Sequence, residues 1–265
     1  MKQIIYIAAL LCMTLSSCTK EIEIDYRDID PIPVIEGYLA PDLAEVKITM
    51  TRNMDDSVHS PGIEVDYVAI FKPDGTECAL DYQPDGIYRP ASPISLTDGA
   101  TYTLRVTIDG VMYVAQSSLR PTIQISEPQF VWANIMDWMQ VMEFETLNIP
   151  DGEEAYGWVR IHHNGEIYFS DAGKCTGNSP FDIGLYYDSD MEMDEDEIIY
   201  DGDTLLLDVR SIDLDAFTYL SESHAGNMNP TQYFSTSVAD KVCLGFFAAY
   251  NHVQYEIIYH KTPHD

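Results

Sequence analysis

The side chains best able to do chemistry crowd into one run. Asp188, Asp190, Glu192, Asp194, Glu195, Asp196 and Glu197 put seven carboxylates into ten residues. Oxygen-rich clusters hold calcium, and on an extended chain Asp188, Asp190, Glu192 and Asp194 point one way. The EF-hand template fails, however. Its sixth position, where a sharp turn needs Gly, is Met193, and its twelfth, where a bidentate Glu is needed, is Ile199. A solvated, self-repelling loop is therefore favoured over a calcium site. The histidines are His59, His162, His163, His224, His252, His260 and His264. His162 and His163 are adjacent, and neighbours on a strand face opposite sides unless a bulge intervenes. No HExxH, CxxC, GxSxG, P-loop or GxGxxG pattern occurs, and among 44 Asp and Glu any chosen acid pair is uninformative. The expectation is a protein without catalytic residues and without a resident cofactor. Aromatic side chains offer binding area instead: Trp132, Trp138, Tyr186 and Tyr187 are the candidates, with packing as the competing role for each.

One residue carries a different chemistry. Lys2 precedes an apolar run from Ile4 to Leu15 broken only by Thr14, and Ser16 and Ser17 lead into Cys18. That run is too short to span a bilayer and reads as a secretory signal, residues 1–17. Its end resembles the bacterial lipobox, in which the cysteine sulfur receives a diacylglycerol and the freed amino group is acylated. Several acyl chains anchor a protein durably where one would not. Cys18 to Pro33 then forms an acylated tether. Its acidic start, Thr19 to Asp25, resembles sorting signals that send such lipoproteins to the cell exterior; an ordinary polar tether is the alternative.

The formal charge of −30 repels phosphate, which excludes nucleic acid as a partner and disfavours anionic lipid surfaces. An anionic ligand would need a local basic patch built from few residues, because Lys and Arg number only 14 and Lys2 leaves with the signal. Beyond Cys18 the cysteines are Cys78, Cys175 and Cys243. That odd number excludes a disulfide scaffold and leaves one bridge plus a free thiol open.

The elements that must position these groups are mostly strands. Val46, Ile48 and Met50 alternate with polar residues, and Lys72-Pro73-Asp74-Gly75 ends a β-rich run from Val65. Tyr102, Leu104, Val106 and Ile108 alternate into Asp109-Gly110, a type I′ turn, and Val111, Tyr113 and Ala115 alternate back. Leu96 to Tyr102 resembles a tyrosine corner. About seven strands between 34 and 118 predict an immunoglobulin-like β-sandwich over residues 34–119, with Arg52–Gly62 as a long loop. Residues 120–265 predict a second β-rich domain, with strands near 129–135, 139–147, 155–163 and 165–170. Asn164-Gly165 joins the last two. A glycine-rich turn is expected over 171–177. One short helix follows at 213–223, with Asp213 as N-cap and Leu214, Phe217 and Leu220 at three-residue spacing on one face. Val242–Tyr250 and Val253–Tyr259 read as a closing hairpin.

Several stretches carry a family resemblance: Pro33 to Tyr38, the Gly99-to-Ala115 hairpin, Arg210 to Leu220, Gly226-Asn227 with Pro230-Thr231, and Leu244 to Tyr250. In this order, after a lipobox, they resemble the Bacteroidetes lipoproteins catalogued as domain of unknown function 4249. The resemblance implies an outer-membrane lipoprotein, often encoded beside a TonB-dependent transporter, and carries over no catalytic residues; the acidic run departs from it. The expected role is a non-enzymatic accessory or ligand-capture subunit, with a surface adhesin or structural envelope protein as the alternative. Replacing Cys18 by Ala should abolish metabolic acyl labelling, and label that persisted would refute the anchor.

Overall fold

Alternating burial shows why the N-terminal segments are strands. In the computed structural model, which describes residues 31–51, 61–132, 139–177, 180–186, 198–226 and 231–261, Tyr102, Leu104, Val106 and Ile108 are buried while Thr101 and Arg105 are exposed. The first seven strands are β1 (Pro33–Leu39), β2 (Ala44–Met50), β3 (Tyr67–Phe71), β4 (Glu77–Gln83), β5 (Ile87–Pro90), β6 (Thr101–Ile108) and β7 (Val111–Ser118). The β6–β7 turn has φ of 50° at Asp109 and 75° at Gly110, as a type I′ turn requires. The tyrosine corner forms too: the Thr97 N–H donates to the Tyr102 hydroxyl at 2.8 Å. β4 pairs β3 on one side and β5 on the other, so the sheet curls over. Ile35, Val46 and Ile48 thereby share one core with Val68, Leu104 and Tyr113, which is the sandwich arrangement.

Residues 34–119 do not complete that sheet. Two strands from far along the chain join it: β15 (Ser235–Thr236) beside β7, and β16 (Leu244–Ala249), which runs parallel to β1 from Val34↔Leu244 to Leu39↔Ala249. The expected closing hairpin is therefore corrected. β16 and β17 (Asn251–Ile258) follow one another directly but lie in different sheets. Only Tyr250 separates them, fewer residues than the two-residue loop of a tight hairpin. β16 is buried at five of its six positions, the pattern of an interior strand rather than a half-exposed one. Its Gly245 has φ of +104°, and a Cβ there would lie 1.9 Å from the Ile35 carbonyl oxygen, so only glycine allows β1 and β16 to meet.

The remaining strands are β8 (Gln124–Ile125), β9 (Gln129–Trp132), β10 (Met139–Leu147), β11 (Glu154–His163), β12 (Glu166–Thr176), β13 (Pro180–Tyr186) and β14 (Thr204–Ile212). β10 pairs with β13 on one side and with β8 and β9, while β12-β11-β14-β17 form a second sheet; the two enclose a core of Met142, Phe144, Val159, Ile161, Leu205 and Leu207. Asn164-Gly165 makes the β11–β12 turn, with φ of 50° and 97°. The register shifts between Ile161 and His162, and His163 reaches Asp203 at 2.8 Å. The expected turn at 171–177 is instead strand, since β12 pairs with β11 as far as Glu154↔Thr176. Gly173 serves close packing there: a Cβ would sit 3.1 Å from the Phe181 ring.

The helix α1 (Leu214–His224) has Asp213 as N-cap, as expected, but Leu214 is 54% exposed and Ala216 is the fully buried residue. Phe217 stacks on Tyr156 at 4.8 Å. The junction of the two sheet systems is aromatic: Trp158 lies 6.2 Å from Tyr38 and 5.6 Å from Phe246. Among the described residues no helix is long and apolar enough to cross a membrane.

Cys78, Cys175 and Cys243 are all free. Burial pushes the Cys175 thiol up to about 11 and the Cys243 thiol up to about 12. Both stay protonated at pH 8, where only thiolate attacks. Ellman's reagent at pH 8 should leave both untouched in the native protein and titrate them in denaturant. Gly245→Ala should cost on the order of 4 kcal/mol in urea unfolding, whereas Gly75→Ala, with open space around a Cβ, should cost about 1–2 kcal/mol.

Candidate functional site

Of the residues singled out for ligand or metal binding, Trp138, Tyr187, Asp188, Asp190, Glu192 and Asp194 lie outside the described residues, as does Cys18. Trp132 is half-buried and packs against the second core. It pairs with Gln140 on β10, and Tyr186 pairs with Met139, so both flank the start of that strand. Among the described residues no three His, Cys, Asp or Glu side chains are grouped to hold a metal.

A better-formed site lies elsewhere. It begins with Asp213, whose side chain does three things. One oxygen accepts the Ala216 N–H at 3.0 Å and starts α1. The other accepts the Ser117 hydroxyl at 2.8 Å and the Ser118 N–H at 2.7 Å. A capping side chain contributes about 1 kcal/mol to its helix, and here the same carboxylate also fixes that helix beside the edge of β7. At the far end of α1, Glu222 accepts the Thr231 N–H at 2.6 Å and its hydroxyl at 3.0 Å, which draws the segment before β15 across.

The three pieces enclose a groove of about 550 Å³. β7 supplies Val114 to Gln116 as its floor, α1 supplies Asp215, Thr218 and Tyr219, and Thr231 to Tyr233 with Ser235 form the remaining wall. Tyr219 accepts the Gly245 N–H at 2.7 Å, and Tyr233 donates to the Phe247 carbonyl. The two rings meet edge to face at 6.1 Å, so both are held rigidly. Burial, and then the charges of Asp213 and Asp215, push the Tyr233 phenol far above its ordinary value, so it stays a neutral hydroxyl.

Among the described residues its lining contains no His, Cys, Lys or Arg. What the groove does offer is hydroxyls, two amides, two phenol rings and one carboxylate. That set suits a neutral, hydroxyl-rich or cationic ligand and rejects an anionic one. Sequence reasoning missed it because its walls come from three distant segments. The one signal was that Arg210 to Leu220 and Thr231, both carriers of the family resemblance, are the parts that build it.

No curated protein matches the chain. The family model described as a domain of unknown function, DUF4249, matches residues 19–256. With nearly all of both sheet systems inside that span, the chain belongs to the DUF4249 family.

Proposed function

We propose that this is an outer-membrane lipoprotein, anchored through acylated Cys18, that captures a ligand in the groove between β7 and α1 and works beside a TonB-dependent transporter. The observation that carries the reading is the groove itself. It is preformed and held by bonded tyrosines, and it is built by the stretches that carry the family resemblance. Among the described residues no nucleophile–base pair stands in its lining, which favours binding over turnover. The acidity of the chain fits a neutral or cationic ligand. In this reading the lipid holds the protein at the membrane, and the sandwich presents the groove to solvent or to the transporter.

The test is a mild-detergent pull-down of the tagged, lipidated protein from its native outer membrane, followed by mass spectrometry. A TonB-dependent receptor in stoichiometric yield is the expected result; a preparation free of one would shift the reading to an adhesin or structural envelope protein. Asp215→Arg reverses the groove's charge on an exposed side chain. It should leave the receptor bound yet reduce retention of a cationic ligand about tenfold or more.

A further inference from the structure

Strand register builds a second, unrelated site on the face of β11 that looks toward β1. Trp158 and Arg160 share that face. Beside them stand Arg210 and Asp208 on β14, with His252 and Gln254 beyond on β17. The indole of Trp158 lies 5.3 Å from the Arg160 guanidinium and 4.8 Å from that of Arg210.

The two arginines are held very differently. The Arg210 Nε donates to Asp208 at 2.7 Å, and the other Asp208 oxygen lies 3.0 Å from His252. Arg160 has no hydrogen bond or ion pair with any described residue; its contact is the indole, and its Nε is buried without a partner. The Arg210 Nη1 is buried and unpartnered as well, on a side chain only 8% exposed. A half-buried guanidinium without a carboxylate is anomalous in a chain with 44 Asp and Glu. The Arg160 Nε has lost water and gained nothing, a cost that an arriving anion would remove.

The surroundings define which anion. Tyr38 on β1 stacks on the same indole at 6.2 Å, and its hydroxyl has no hydrogen-bond partner among the described residues. The charges of Arg160 and Arg210 both act on that phenol. Glu36, the nearest acid on β1, has its carboxyl pushed up by burial, which weakens it as a competitor for Arg160. We propose that the Arg160 guanidinium and the Tyr38 hydroxyl bind the carboxylate of a ligand in the crease between β1 and β11. A planar guanidinium fork matches a carboxylate's two oxygens. A phosphate dianion fits worse, because Asp208 and Glu36 flank the position. None of these residues lines the groove beside α1, so this site stands or falls separately from the proposed function.

The experiment titrates the purified full-length protein in detergent with sodium acetate and, separately, sodium phosphate, each replacing sodium chloride at constant ionic strength. The readouts are the Arg160 side-chain Nε–H resonance, assigned by its loss in Arg160→Met, and the thermal midpoint. Acetate should shift that resonance saturably and raise the midpoint. Arg160→Met should weaken the acetate response of the midpoint about tenfold or more, Tyr38→Phe should weaken it about threefold, and Arg120→Met, an exposed arginine elsewhere, should leave it unchanged. No saturable shift, or an undiminished midpoint response in Arg160→Met, overturns the site. Phosphate binding as tightly as acetate overturns the carboxylate assignment. If Arg160→Met does not fold, Tyr38→Phe decides, since it keeps the ring on Trp158; unchanged acetate affinity there overturns the proposal.

Discussion

The parallel pairing of β1 with β16 is the constraint on which the rest of the molecule depends. It requires the backbone of Gly245 to press against Ile35, an approach no side chain would permit. Once β16 is seated, the Ala249 N–H reaches the buried Ser117 hydroxyl at 2.9 Å, and that hydroxyl donates to Asp213. Asp213 starts α1, and α1 walls the groove. A single line of hydrogen bonds thus runs from the edge of the first sheet to the candidate binding site. The same strand, continued as β17, completes the second sheet beside β14.

Buried charge reinforces this junction. Asp208 is almost wholly enclosed, bonded to Arg210 and to His252, and His252 also reaches Asp42 at 3.2 Å in the turn after β1. Such groups contribute little net stability when complete, because desolvation offsets their attraction; losing one partner leaves an uncompensated charge that costs about 3–5 kcal/mol. The network therefore acts more on geometry than on stability. It sets how the first sheet's outer face meets the second sheet, with Trp158, Tyr38 and Phe246 filling the space between.

Local features were legible from the amino acids. Alternation named β6 and β7, paired positive-φ residues named both hairpin turns, and Asp213 named the start of the helix. Each of these signals is complete within about ten residues. What escaped were relations between distant segments. Nothing near Leu244 announces that its partner is Val34, so two consecutive apolar runs read as a hairpin. Gly173 read as a turn residue because a glycine that clears room for a ring looks the same in sequence as one that bends the chain. The groove was hidden for the same reason: Gln116 on a strand, Tyr219 on the helix and Tyr233 in a loop look ordinary until β16 brings their segments together.

The placement of β16 also bears on how the chain is made. A ribosome releases β1 long before Leu244–Ala249. Until then the outer edge of β1 is an unsatisfied row of amide and carbonyl groups, and β14 lacks β17. Pairings so far apart in sequence close slowly. A chain lacking Leu244–Ile258 would leave an open edge on each sheet, the kind of edge that invites mispairing. One continuous stretch, Leu244–Ile258, thus closes both sheets in a single step.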